Sequence, residues 1–416
     1  MARTVDLRER KTLLEARRDL KMARSAHAYV RGSTERFYEW LASPAVGNLP
    51  AGPPVWICGD CHVGNLGPVG RSEGAAVVEL RDLDQTTIGN PAFDVVRLAL
   101  SLAMAARGSD LPGVTTAHMT EELVAGYEAA FAGDKPTEAV DELPPPIKLV
   151  MKRALKRTWK HLFDERRGDV GRELEPGKRF WPLTDDERAG VQALVETETV
   201  RRLVTQLECR DEAAEVALVD AAYWVKGCSS LGLLRAAALL KVTRAAKKKE
   251  PARSVLSLID IKEAVAALTP GERNAGVPRH EGERVVAGAR RLAPALGERM
   301  AAGTVVGKDV FVRELLPQDL KVELDEISSD DGRAVARHLG MVVGRAHSRQ
   351  LDGDARRRWA AEMAAHRTKN IDAPTWLWQS VVDLVAIHER AYLEHCRRYA
   401  LNASRAKLEA TADADA

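Results

Sequence analysis

Two short stretches carry side chains that could act together. Gly59-Asp60-Cys61-His62-Val63-Gly64-Asn65 sets an acid and an amide five positions apart in one loop. An aspartate placed there can take or orient the proton of an attacking hydroxyl, while the asparagine carbonyl oxygen can reach a magnesium ion bound to nucleotide phosphates. His62 stands between them in a supporting position. Beyond the apolar run Ala75 to Leu80, Asp82 offers a carboxylate to the same hard, oxygen-loving cation. Asp84 would share a strand face with Asp82 and is the alternative ligand.

A phosphate chain also needs donors and a counter-charge, and both appear far downstream. Gly227-Cys228-Ser229-Ser230-Leu231-Gly232 lies between two strand-like runs, so Gly227, Ser229, Ser230 and Gly232 could form a turn over phosphates; Ser229 stands where a middle glycine is common. The run Val255 to Lys262 leads into Glu263-Ala264, and Lys262 is the candidate for holding the nucleotide phosphates. Such a lysine wants an acidic partner on the following helix, where Glu283, or Glu281 two positions earlier, is available. Each signal has a plain structural reading: Asp, His and Asn after a strand cap turns, and a strand-end lysine reaches into solvent. The joint pattern favours a nucleotide site.

The elements that must position these residues follow from periodicity. Leu7 to Leu41 repeats apolar residues at helical spacing, as do Val95 to Met104, Met119 to Phe131, Ile147 to Phe163, Glu281 to Met300 and Ala334 to Arg349. Strands are expected at Val55 to Ile57 and Ala75 to Leu80, bracketing the Asp60 loop, then at Ala221 to Lys226, Leu233 to Val242, Val255 to Lys262 and Val310 to Val312. A polar turn at Lys247 to Pro251 separates two of them. The segments this implies are an N-terminal helical piece over 1–50, the catalytic loop with helices over 51–215, a strand-rich part over 216–330 and C-terminal helices over 331–416.

Gly59-Asp60-x-His62-x-x-Asn65 resembles the catalytic loop of aminoglycoside and choline phosphotransferases. In that superfamily a further Asp follows the metal-binding acid by twelve positions at a helix start, and Asp94 stands twelve after Asp82. Cys58 replaces the histidine that usually precedes Gly-Asp. The wider set of Arg31-Gly32, GDCHVGN, GNPAFDVVRL, the IKEA strand and GRAHSR is similar to domain-of-unknown-function family 2252. The resemblance to phosphotransferases implies an α+β, protein-kinase-like fold with a small antiparallel-sheet nucleotide lobe and a larger, mainly helical lobe. The catalytic loop comes before the nucleotide lobe here, so the fold would be circularly permuted. It further implies ATP and Mg²⁺ as cofactors and transfer of the γ-phosphoryl group to a small-molecule hydroxyl acceptor, with Asp60 as base, Asn65 and Asp82 on the metal, and Lys262 with the glycine turn on phosphates. Transfer of AMP from the same cleft and a non-catalytic nucleotide-binding scaffold are the alternatives.

Composition narrows the partners. With 62 Lys and Arg against 60 Asp and Glu in 416 residues, the formal charge of +2 gives no global attraction to nucleic acid or to an anionic membrane. The start of the chain is charged throughout and no window has the apolar length of a membrane span, so a cytoplasmic location is expected. Five cysteines are too few for a disulfide framework. Cys58-Gly-Asp-Cys61-His62 also matches a c-type haem attachment pattern, which the absence of an export signal disfavours. His347 reads as structural, and no feature specifies an oligomer.

Overall fold

The computed structural model describes residues 8–44, 46, 49–71, 74–132, 143–162, 174, 176–206, 213–228, 230–244, 253–269, 276–322, 327–365 and 373–412. The expected turn at Lys247 to Pro251, and Ser229, lie outside them.

The chain opens with three helices where one apolar period runs from Leu7 to Leu41: α1 (Arg10–Met22), α2 (Ala26–Gly32) and α3 (Thr34–Leu41). Ser25 breaks the period because its hydroxyl accepts from the Ala28 N–H and starts a new helix. Four short strands follow, β1 (Val55–Ile57), β2 (Leu66–Gly70), β3 (Ala76–Leu80) and β4 (Thr87–Gly89). The two strands expected to bracket the Asp60 loop do not pair with each other. β2 and β3 form one antiparallel hairpin, and β1 pairs with β4. Leu66–Gly70, with two glycines and a proline, has too weak a strand pattern to stand out in sequence.

The helices α4 (Ala92–Gly108), α5 (Gly113–Ala129) and α6 (Pro145–Lys156) come next, then β5 (Phe180–Trp181), α7 (Asp185–Glu196) and α8 (Glu198–Thr205). The strands β6 (Glu215–Trp224), β7 (Arg235–Arg244) and β8 (Arg253–Glu263) precede α9 (Glu281–Leu292) and the short α10 (Pro294–Gly297). Then come β9 (Met300–Val305), β10 (Lys308–Glu314), α11 (Ser329–Ser348), α12 (Gly353–Ala365) and α13 (Thr375–Ala412). The helix expected to run from Glu281 to Met300 ends at Leu292. Pro294 disfavours the helical conformation at Ala293, and Met300 already belongs to a strand. The architecture is α+β with antiparallel sheets. Among the described residues no helix is long and apolar enough to cross a membrane.

β5 to β10 make one six-stranded sheet in the order β5-β6-β7-β8-β10-β9. Alternation sorts its side chains onto two faces. Ala236, Ala238, Ile259, Ile261, Val310 and Val312 belong to a core shared with Val191 and Leu194 of α7 and Leu203 of α8. The register pairs Arg235 and Phe311 with Lys262, and Ala237 and Arg313 with Asp260. Charged residues therefore line up across three adjacent strands on the other face.

The largest core joins α4, α5, α11 and the short strands, with Leu98, Leu102, Leu123, Tyr127, Leu339 and Val343 buried in it. α5 and α11 approach closely at Gly340, where a Cβ would come within 2.1 Å of the Leu123 carbonyl oxygen. This packing fixes the base on which the Asp60 loop rests.

Candidate active site

The Asp60 loop is a tight turn between β1 and a single 3₁₀ turn at Val63–Asn65. Gly59 takes φ +75°, and a Cβ there would meet the Gln85 carbonyl oxygen at 2.2 Å, so glycine is required twice over. Tyr38 Oη donates to the Gly59 carbonyl oxygen at 2.5 Å. Two of the loop's backbone donors go to Asp94 at the start of α4, whose Oδ2 accepts from Cys58 N at 2.7 Å and whose Oδ1 accepts from Gly59 N at 3.0 Å. Asp94 is fully buried and also lies 3.1 Å from His347 Nε2.

His347 Nδ1 in turn is 3.0 Å from Tyr127 Oη, which accepts from Trp359 Nε1 at 3.1 Å. The assignment that gives every proton an acceptor has Tyr127 donating to Nδ1 and His347 donating from Nε2 to Asp94. A chain of hydrogen bonds from α12 through α5 and α11 thus ends on the backbone of the Asp60 loop. His347 has an acid partner after all, Asp94, which is distant in sequence.

Asp60 meets a residue that periodicity had marked only as helical. Arg97 Nε donates to Asp60 Oδ1 at 2.9 Å, and Arg97 Nη2 donates to the Val30 carbonyl oxygen at 2.7 Å. Arg97 is completely buried, and its one sequence signal is a lone charge within the apolar run of α4. Burial pushes the Asp60 carboxyl above its ordinary value, against the opposing pull of Arg97. A raised carboxyl is the direction that suits a general base. His62 Nε2 lies 3.9 Å from Asp60 Oδ2; burial, then Arg31 and Arg97, push its imidazole well below the usual range, which keeps it neutral. Asn65 donates from Nδ2 to the Asp60 carbonyl oxygen at 2.8 Å, which leaves its Oδ1 as the atom a cation could use.

The strand lysine reaches this region from the six-stranded sheet. Lys262 Nζ is 3.3 Å from Asp82 Oδ1 and in close contact with Asp84 Oδ2. Desolvation works to raise the Asp82 carboxyl, but Lys262 and the guanidinium groups of Arg235 and Arg313 hold it well below the usual range. Burial and the neighbouring Asp82 charge push Asp84 the other way. Lys262 itself stays charged: burial would lower it, and Asp82 with Asp84 outweighs that. Glu283 takes no part in this pairing. It is exposed on α9, whose inward face presents Gly282, Val285, Val286 and Ala289, while Glu281 pairs with Arg284 at 2.5 Å.

What α9 contributes is Arg284. Its buried guanidinium donates to the carbonyl oxygens of Asp84 (2.9 Å), Val265 (2.7 Å) and Thr86. It thereby joins the segment after β3 to the exit of β8. Gln85 Oε1 accepts from Leu268 N at 2.9 Å and reinforces the same seam.

The glycine turn sits at the same place. Gly227 (φ +97°) and Gly232 (φ +105°) flank it, and Lys21 of α1 donates to the Gly227 carbonyl oxygen at 2.8 Å. Two cavities meet here. An outer one of about 390 Å³ is bounded by Asp60, Asn65, Asp82, Asp84 and Ser230 among others. An inner one of about 90 Å³ is bounded by Asn65, Asp82, Gly227 and Lys262, with Arg81, Arg235, Arg313 and Lys321 around them. Those cations were not foreseen. Arg235 holds Asp260 in a two-point pair at 2.9 and 2.5 Å, and burial, then Arg31 and Arg81, lower Lys321 to about 8.

A magnesium ion commonly takes one or two carboxylates and fills the remaining positions with phosphate oxygens and water. The residues present fit that demand. Asp82 leaves 53% of its side chain open to the cavity, and Asp84 Oδ1 is buried with no hydrogen-bond partner. Among the described residues no cluster of three or more His, Cys, Asp or Glu could hold a metal by itself, so a cation here would depend on a ligand's oxygens. The haem pattern has no such support, since Cys58 and Cys61 are both fully buried.

Fold and site together define an α+β protein in which an acid–amide loop, a pair of carboxylates and a strand lysine converge on adjoining cavities. Residues 10–398 match the family model described as an uncharacterized protein conserved in bacteria (DUF2252), and the chain belongs to that family. No curated protein and no solved structure matches it.

Proposed function

We propose that this protein is an ATP- and magnesium-dependent transferase with a circularly permuted, kinase-like cleft, which passes a phosphorus-bearing group of the nucleotide to a hydroxyl acceptor, most simply a small molecule. The observation that carries the reading is the meeting of Lys262 with Asp82, 3.3 Å apart although 180 positions separate them in sequence. A structural ion pair alone would not require Asn65 and Asp60 beside it, nor a glycine turn over the same space.

In this reading the six-stranded sheet is the nucleotide lobe and the helices around α4, α5 and α11 form the other. Asp60 takes the proton of the acceptor hydroxyl, and Arg97 fixes the carboxylate's orientation through Oδ1. Asn65 Oδ1 and Asp82 would hold the magnesium ion, which when bound neutralises charge on the phosphate chain. Lys262 supplies a fixed positive charge, released from Asp82 and Asp84 when phosphate and metal compete for them. Resemblance to the phosphotransferases implies that the γ-phosphoryl group is the one passed. Which phosphorus faces Asp60 depends on the direction in which the nucleotide lies.

Mg·ATP at a hundred times its Kd is expected to stabilise the protein by about 2.7 kcal/mol, and to raise the melting temperature more than ATP with chelator does. Equal shifts with and without magnesium would count against Asn65 and Asp82 as ligands.

A further inference from the structure

The two cavities that meet at Asn65 and Asp82 carry opposite charge. Around the inner one stand Arg81, Lys226, Arg235, Lys262, Arg313 and Lys321, against only two carboxylates, Asp82 and Asp260. Around the outer one the balance is reversed: six carboxylates, including Asp19, Glu35, Asp60 and Glu263, face Arg18 and Arg36. A triphosphate is drawn toward the first and repelled by the second.

Size points the same way. At about 10–15 Å³ for each water-sized group, the inner space of about 90 Å³ accepts roughly six to nine such groups, about what pyrophosphate needs and far short of an adenosine. The outer space of about 390 Å³ has room for a nucleoside and offers Met22, Tyr29, Leu233, Val265, Ala266 and Leu268 as apolar surface for a base. The sheet supplies the cause. Its cleft-facing row is Arg235, Asp260 and Arg313 beside Lys262, so the slot under the strands that might have received a flat apolar ring is filled by paired charges. Arg313 Nε and Arg81 Nη1 are buried there with no hydrogen-bond partner, although Arg313 Nη1 donates to the Arg81 carbonyl oxygen at 3.1 Å.

We infer that the nucleotide enters phosphates first, with its β- and γ-phosphates in the inner cavity, its base in the outer one and its α-phosphate beside Asp60, so that the group transferred is AMP. This rests on the nucleotide site proposed above and deepens it. The acceptor's hydroxyl oxygen forms a bond to the α-phosphorus as the bond from that phosphorus to the oxygen bridging to the β-phosphate breaks. The hydroxyl proton goes to the Asp60 carboxylate, AMP remains on the acceptor and pyrophosphate leaves from the inner cavity.

Photolabelling with 8-azido-ATP and magnesium, followed by peptide mapping, locates the base without an acceptor. Label protected by ATP on peptides holding Met22, Tyr29 or Val265 to Leu268 is the expected result. Protected label on Met300 or Phe311 would put the base inward and overturn the inference while leaving the nucleotide site intact. Protected label at neither cavity, or none, would remove the nucleotide site itself. A second measurement uses inorganic tripolyphosphate: Lys321→Ala, at a lysine bounding the inner cavity, is expected to weaken its binding about tenfold. Unchanged tripolyphosphate affinity in that variant would also overturn the inference.

Discussion

Asp60→Asn is expected to lower ATP turnover by about 10²–10⁴-fold while leaving Mg·ATP affinity within about twofold of wild type. The substitution keeps the volume of the side chain and leaves Oδ1 to accept from Arg97 Nε, a bond of 2.9 Å in the wild-type chain. What it removes is the capacity to take a proton. Because the cations that would hold the phosphates surround the inner cavity, which Asp60 does not bound, little of the nucleotide's binding should depend on it. Phosphorus-31 resonance reports the loss of ATP whichever phosphorus is transferred. Turnover at the wild-type rate in a normally folded variant would remove Asp60 from the mechanism.

Asp94→Ala is expected to destabilise the protein by at least about 3 kcal/mol in denaturant unfolding, with activity lost alongside. Three donors converge on this one carboxylate: the N–H groups of Cys58 and Gly59, and His347 Nε2. All are buried where no solvent can replace the lost acceptor, and each stranded donor costs about 1–3 kcal/mol. His347→Ala should cost less, since it leaves the two backbone bonds in place. An Asp94→Ala variant within about 0.5 kcal/mol of wild type would show that the Asp60 loop is held by its own turn geometry and not by α4.

The chemistry-bearing residues were legible where they cluster in sequence. Asp60, Asn65, Asp82 and Asp94 lie within one 35-residue stretch; residue type and spacing marked the first three, and the resemblance to the phosphotransferases added Asp94. The strands β7, β8 and β10 were legible from their apolar runs to within two residues at each end, whereas β6 starts six residues before the expected Ala221, in a stretch where exposed and half-buried residues alternate. What stayed hidden depends on register and on helix orientation. Arg235, Asp260 and Arg313 look like isolated charges until the pairing of β7, β8 and β10 sets them in one row. Arg97 sits in a helix buried on every side and Arg284 on the buried face of an amphipathic one, and in neither does the period say what a buried charge will meet. The partner of Lys262 was sought on α9 because the sequence order pointed there. Asp82 and Asp84 are already within reach from the end of β3, and they take the ammonium instead.

In the proposed function Asp82 joins a metal to a nucleotide in the cleft where Lys262 points. Calorimetric titration of ATP into wild type and Asp82→Asn, each with magnesium and with chelator, tests it most directly. The expected result is a Kd at least about tenfold weaker for the variant in magnesium and no difference between the two proteins in chelator. Equal affinities in magnesium would contradict the account and leave the contact of Asp82 with Lys262 as an ion pair that only joins the sheet to the loop.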